Sequence, residues 1–184
     1  MRPNKRDELV QRALEAFNRH GFQATGMDLL VRETGISKTS MYKHFTTKDD
    51  LILAVLELRD AQFRDWLSER MQALEDTPIT RILALFDVLE DWFARPDFKG
   101  CMFIRAAAEF QDKTHPIRQH SARHKQQIEH MLKGLVIEAG LENPGLLARQ
   151  LVLLKEGAII AAHVQLSPTA AADAKAAARV VLGL

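Results

Sequence analysis

The chain has 184 residues, of which 47% are hydrophobic, with only nine glycines, six prolines and a formal net charge of +1. That composition supplies ample material for a packed interior and excludes long disordered or low-complexity tracts. Its single cysteine, Cys101, excludes an intrachain disulfide and points to a reducing compartment. The charge is unevenly spread. Residues 1–48 hold nine Lys/Arg against five Asp/Glu, a net of +4, and the remaining residues hold sixteen against nineteen, a net of −3. A basic head on a slightly acidic body suits a polyanion at the N-terminus. The opening residues are charged, unlike a secretory leader, and the most apolar late stretch, Leu151 to Leu166, contains Lys155 and Glu156 and is too short for a bilayer. The expectation is a cytoplasmic protein that makes no use of a membrane.

In chain order, every long periodic segment reads as helix, so the expected class is all-α. Leu9, Val10, Ala13, Leu14 and Phe17 recur at helical spacing until Gly21 closes the helix. Thr25 and Asp28 resemble a capping box for a second helix whose inner face is Met27, Leu30 and Val31. Gly35 breaks it, and Ser37 can cap a third helix to about Phe45. Thr47 and Asp50 start a long helix through Leu51, Val55, Phe63 and Leu67, within which a domain boundary can fall. Ile79 to Ala94 reads as helix, ended by Arg95-Pro96-Asp97, and Met102 to Gln111 as a shorter one. His115-Pro116 opens a helix that Gly140 ends. Leu146 to Leu166 is strongly apolar, and Ser167-Pro168 reads as N-cap and first residue of a final alanine-rich helix.

The informative stretch is Thr25 to Lys48, two short helices about the Glu33–Ile36 turn, the size of a DNA-reading helix-turn-helix. Met41 and Phe45, four apart, can anchor the second of these helices, with Ile36 plugging the corner. Lys38, Thr39, Tyr42 and Lys43 are left facing outward, with no carboxylate between Ser37 and Thr47. Lysine donates to guanine, threonine meets a thymine methyl or a phosphate, and tyrosine donates to a phosphate. An ordinary amphipathic helix with a solvated cationic face fits the same residues taken alone.

Gly21-Phe22, Thr25, Asp28, Leu30, Gly35-Ile36-Ser37-Lys38, Tyr42-Lys43-His44-Phe45 and Lys48-Asp49-Asp50-Leu51 together resemble the N-terminal domain of TetR-family repressors. The resemblance covers about a third of the chain and implies roles for matching residues. Thr25 would bind a phosphate through hydroxyl and amide, and Tyr42, His44 and Lys48 would also contact phosphates, with a half-buried packing role as the alternative for His44. Lys38, Thr39 and Lys43 would meet base edges, and Ser37 would chiefly cap. Thr39 stands where a small residue is common and Lys43 where an aromatic or histidine is common, so the resemblance implies the family and not the operator sequence. The implied partners are double-stranded operator DNA, a second copy of the chain and a small-molecule effector. The implied organisation is a DNA-binding domain over 1–48 and a helical ligand-binding and dimerisation domain over 49–184.

For the body, the expected dimer stripe is Ala171, Ala174, Ala178 and Val181 on the final helix, with Leu147, Leu151, Leu154, Ala158, Ala161 and Ala162 before it. Two recognition helices must lie about 34 Å apart to enter successive major grooves. The expected pocket draws on Trp66, Phe86, Phe103, Phe110 and Met131, with Arg105 and Glu109 one turn apart as polar anchors or as an ion pair at the rim of the core. His120 and His124 have the spacing of metal ligands, but a solvated basic face is the expectation. Cys101 is read as a packing residue, with redox sensing as the alternative, and His163 as a core histidine. No Walker loop, nucleophile elbow, His-Glu-x-x-His or paired carboxylates occur, so neither enzyme nor cofactor is expected.

Overall fold

The computed structural model describes residues 4–184, and among them there are nine helices and no strand. They are α1 (Lys5–His20), α2 (Met27–Thr34), α3 (Lys38–His44), α4 (Lys48–Leu74), α5 (Pro78–Phe93), α6 (Met102–Glu109), α7 (Pro116–Glu138), α8 (Pro144–Val164) and α9 (Ala170–Val181). The chain folds into two compact units. One holds residues up to Gln62 together with Cys101–His124, and the other holds Phe63–Gly100 and Lys125–Leu184. The divisions fall inside α4 and α7, and α6 belongs to the first unit, which therefore extends well beyond residue 48.

The first unit is built on the inner stripe of α1, where Leu9, Val10, Ala13, Leu14 and Phe17 are buried. Leu30, Met41, Phe45, Leu51, Ile52, Val55, Met102, Phe103, Ala106 and Phe110 complete its core. Phe17, Phe22 and Phe110 form a chain of rings, with centroids 5.4 Å and 6.4 Å apart. Burying a side chain of this size contributes about 1.5–3 kcal/mol relative to exposure. Gly35 closes α2 in the left-handed conformation (φ 69°), which lets α3 turn away sharply. Ser37 caps α3, its hydroxyl accepting from the Ser40 amide at 3.3 Å. The Thr47–Asp50 pair opens α4 reciprocally, at 2.8 Å and 3.1 Å.

Two start signals resolve differently. Gly26, not Thr25, is the N-cap of α2 and gives no side-chain bond, because the Thr25 hydroxyl donates to the Gly21 carbonyl at 2.5 Å. Thr169, not Ser167, precedes α9, since Leu166 takes a left-handed conformation (φ 55°) that carries the chain past Ser167-Pro168 before the helix begins.

In the second unit, α9 packs on both α5 and α8. Thr77 and Thr80 form a capping box at the start of α5, and Lys175 of α9 donates to Asp87 of α5 at 2.6 Å. Ala171, Ala174 and Ala178 are buried here, as are Leu151 and Ala158 of α8. These residues were expected to face a second copy. Small side chains instead let α9 approach its own neighbours closely, so five of the expected interface positions are spent inside the protomer. Leu147, Leu154, Ala161, Ala162 and Val181 remain half-buried. On α8 and α9 the large apolar residues left in water lie on another stripe, Leu146, Leu153, Ile160 and Val164 on α8 and Val180 on α9; Leu74, Ile137, Leu166 and Leu184 are exposed elsewhere in this unit.

Candidate nucleic-acid interface

The turn between α2 and α3 presents α3 with its inner side anchored and its outer side free. Met41 and Phe45 are buried and Ile36 packs against the same core. Ser37, Lys38, Thr39, Tyr42 and Lys43 are exposed, Tyr42 to 52% despite its ring, while His44 is half-buried. An aromatic side chain half in water beside two lysines has the chemistry to meet a polyanion. The positive end of the backbone dipole at the start of α3 adds to it.

One residue modifies this face. Asp28 on α2, almost fully exposed, accepts from Lys38 Nζ at 2.9 Å. The hydrogen bond to Asp28, reinforced by its charge, raises the Lys38 ammonium above its ordinary value. Lys38 therefore stays protonated, but its positive field is partly cancelled before any phosphate or base approaches. The sequence placed Asp28 in a cap and gave no sign of this pairing, because the two residues are ten apart and meet only through the turn.

Two residues expected at phosphates are otherwise engaged. Thr25 is buried, so contact through its hydroxyl would require the Gly21 bond to break. Lys48 Nζ donates to the carbonyls of Phe22, Gln23 and Thr25, at 3.0 Å, 3.5 Å and 3.4 Å. It ties the loop between α1 and α2 from inside the unit.

The expected pocket residues divide between the two units. Phe103 and Phe110 belong to the core of the first, with Met102 beside them. Arg105 donates to the Asn18 carbonyl at 2.8 Å, and the Glu109 carboxylate accepts from the amides of Phe22 and Gln23 at 3.0 Å and 2.6 Å. The pair expected as ligand anchors or a mutual ion pair thus bonds to the end of α1 and the loop after it. Trp66 of the second unit joins an aromatic cluster with Phe63, Trp92, Phe93 and Phe98, and Phe86 is buried. Met131 lines a cavity of about 210 Å³ with Ser68, Met71, Gln72, Arg81, Gly134, Leu135 and Glu138.

Three histidine expectations change. His120 and His124 are buried, not solvated: His124 meets Asp60 of α4 at 2.5 Å and stacks on Phe103 at 3.7 Å, so this side of α7 faces α6 and α4. His163 is exposed at the end of α8, with Phe98 edge-on at 5.9 Å, because α8 turns that position outward. Cys101 caps α6 half-buried against the core of the first unit.

Sequence reasoning also missed a charged cluster in the second unit. Lys155 is 1% exposed, and its Nζ bonds one oxygen of Glu156 at 2.6 Å while Lys125 bonds the other at 2.7 Å. Burial favours the neutral form of Glu156, yet Lys155 and then Lys125 outweigh it and hold the carboxyl below its usual range. A lone Lys-Glu dipeptide in an apolar run was the available signal.

A buried helix-turn-helix frame with an exposed cationic and aromatic second helix defines a DNA-binding regulator. Residues 9–55 match the family model for bacterial regulatory proteins of the tetR family, and residues 78–178 match that for the tetracyclin repressor-like C-terminal domain. The chain belongs to the TetR family, whose members bind operator DNA, act as dimers and are not enzymes. It is similar to the crystal structure of SCO4454, a TetR-family transcriptional regulator from Streptomyces coelicolor, with 27% identity, a TM-score of 0.88 and coverage of 98% of this chain and 90% of that one. It is 21% identical over 155 residues to the HTH-type transcriptional regulator YjdC of Escherichia coli, covering 84% and 81% of the two chains. It is 37% identical over 86 residues to the HTH-type transcriptional repressor KstR2 of Mycolicibacterium smegmatis, covering 45% and 40%. No helix among the described residues is long and apolar enough to cross a membrane.

Proposed function

We propose that this DNA-binding regulator is a repressor that leaves its operator when a small amphipathic molecule occupies the second unit. The observation that carries the DNA contact is the outer side of α3. Residues 1–48 supply that contact and 49–184 the effector and dimer functions. Thr39 and Lys43, with Lys38 once it leaves Asp28, meet base edges. Tyr42 and His44 meet phosphates, and Ser37 shapes the start of the helix. The Thr25 contribution is confined to its backbone unless its hydroxyl is released. Repression is the sign reported in the name of KstR2.

The cavity by Met131 supports the effector reading. Met71 and Met131 give it soft apolar walls, and Arg81 and Glu138 give it charge of both signs. At about 210 Å³ it lies below the roughly 300–1,000 Å³ of sites for drug-sized molecules, so a small effector fits. Release requires only that the effector bind the DNA-incompetent arrangement more tightly than the competent one.

The dimer is assigned to the exposed stripe of α8 and α9. Leu146, Leu153 and Ile160 recur every seven residues, Val164 follows four later, and Ala176 and Val180 lie four apart on α9. A second copy would cover these side chains, and Gly157 between Leu153 and Ile160 permits close approach.

The test is fluorescence anisotropy with duplex DNA from upstream of the protein's own gene, titrated at several salt concentrations beside a scrambled duplex. Tyr42→Ala should weaken both duplexes alike. Thr39→Ala and Lys43→Ala should cost roughly 1–3 kcal/mol on the preferred duplex and change its base preference. Unaltered binding by all three variants would remove α3 from the interface. In the same assay Asp28→Asn should tighten binding to any duplex by roughly two- to fivefold, since it frees Lys38 and removes a carboxylate from the approach path. Weaker binding by this variant would show instead that Asp28 orders Lys38 for contact.

A further inference from the structure

Six residues separate α1 from α2, and half of them, Gln23, Ala24 and Gly26, are exposed, while the others turn inward. Gly21 and Thr25 are buried, and the chain at Phe22 plunges its ring into the core. Buried peptide groups need partners, and for the Phe22 amide and the Phe22 and Thr25 carbonyls they come from outside the loop. On one edge the Glu109 carboxylate takes the amides of Phe22 and Gln23, with Oε2 at 3.0 Å and 2.6 Å and Oε1 at 3.2 Å from the Phe22 nitrogen. On the other edge the Lys48 ammonium takes the carbonyls of the same two residues and of Thr25. One turn before Glu109 on α6, Arg105 donates to the carbonyls of Phe17 and Asn18, at 3.4 Å and 2.8 Å, in the last turn of α1. The cation thus sits at the negative end of α1 and the anion on the amides just beyond it, which is the favourable order for both.

The backbone is fitted to this arrangement. Gly21 has φ +84°, and a Cβ built there would lie 3.0 Å from Glu109 Oε1. An alanine would both strain the backbone and press the carboxylate away from the amides. The loop ends at Gly26, the N-cap of α2, one residue after the Thr25–Gly21 bond closes it. Its shape therefore fixes where α2 starts, and α3 is packed against α2.

We infer that Glu109, with Arg105, is a positioning residue for operator binding. It touches no DNA and holds the α1–α2 loop, and through it the start of α2, in the DNA-competent shape, with Lys48 as the opposing grip. This inference rests on the DNA-binding reading and adds to it a determinant located on α6, far along the chain from the helix-turn-helix of α2 and α3.

The experiment compares wild type, Glu109→Gln, Glu109→Ala and Gly21→Ala in the full chain. Glu109→Gln keeps the side chain's volume, so at least one carboxylate variant remains readable if truncation impairs folding. Two quantities are read well below the unfolding temperature: affinity for a duplex enriched from a random library by the wild type, and amide hydrogen exchange without DNA. The expected result is a roughly tenfold loss of affinity for both Glu109 variants, the scale of losing charge-assisted hydrogen bonds. Exchange should accelerate at Phe22 and Gln23 while the core amides of α1 stay protected. Gly21→Ala should mimic this, and combining it with Glu109→Ala should cost less than the two single losses together. Affinity within twofold of wild type in the folded Glu109 variants, or unchanged protection of the two amides, would overturn the inference. A wild type that enriches no duplex would count against DNA binding itself, an outcome distinct from a variant that matches the wild type.

Discussion

Replacing Leu153 and Ile160 together by aspartate is expected to turn the protein into a folded monomer and to lower its operator affinity by roughly 10²–10⁴, the advantage that two linked contacts hold over one. Both side chains are already exposed in the protomer, Leu153 to 71% and Ile160 to 39%, so the charges cost the isolated chain little. In the proposed interface each aspartate would be buried against its own symmetry mate's apolar stripe, and an uncompensated buried charge costs several kcal/mol. Sedimentation velocity reads the oligomeric state and circular dichroism the fold. Ala174→Asp is the contrasting variant. Ala174 is buried within the protomer, so that change should unfold the second unit and not merely dissociate a folded pair. If the Leu153/Ile160 variant sediments as a dimer with wild-type operator affinity, the exposed stripe is not the interface.

The second large effect is on stability. Glu156→Gln should destabilise the fold by about 3 kcal/mol at neutral pH, lowering Tm by roughly 6–12 °C for a chain of this size. The figure is the lower end of the range for breaking a buried pair, because 22% of the Glu156 side chain still meets solvent. Its removal withdraws the carboxylate shared by Lys155, which is almost fully buried, and Lys125. The pH dependence has a definite sign. Glu156 is held below its ordinary value of 4.5, so its contribution is present above that value and is lost as pH falls through the lowered one. Thermal melts of wild type and variant should therefore differ most near neutrality and converge in acid. A gap that persists unchanged in acid, once the Glu156 carboxylate is protonated, would mean that packing, not charge, carries the effect.

Much of the local design is legible from residue order alone, for reasons that are themselves local. Gly35 suits a left-handed conformation after α2, Ser37 can reach an amide three residues on, and Met41 and Phe45 must share a side of any helix that contains both. Those constraints act within a few residues and need no knowledge of the rest of the chain. The all-α class follows from the same kind of signal, and so does the outward cationic side of α3.

Which partner a side chain finds is a different matter, because it depends on elements brought together from far along the chain. Arg105 and Glu109 read as an i, i+4 pair, but α6 packs in the first unit, where both side chains also bond the end of α1 and the loop after it. The alanines of α9 read as a seam for a second copy. Their own α5 and α8 fill that seam first, since small side chains invite whichever helix is nearest, and the chain's own helices are tethered at high local concentration. His120 and His124 read as a wet face until α6 and α4 cover it. Periodicity thus determined which residues share a side of each helix in this protein. Only the tertiary packing decided what each side meets, because burial is set by neighbours that sequence spacing does not name.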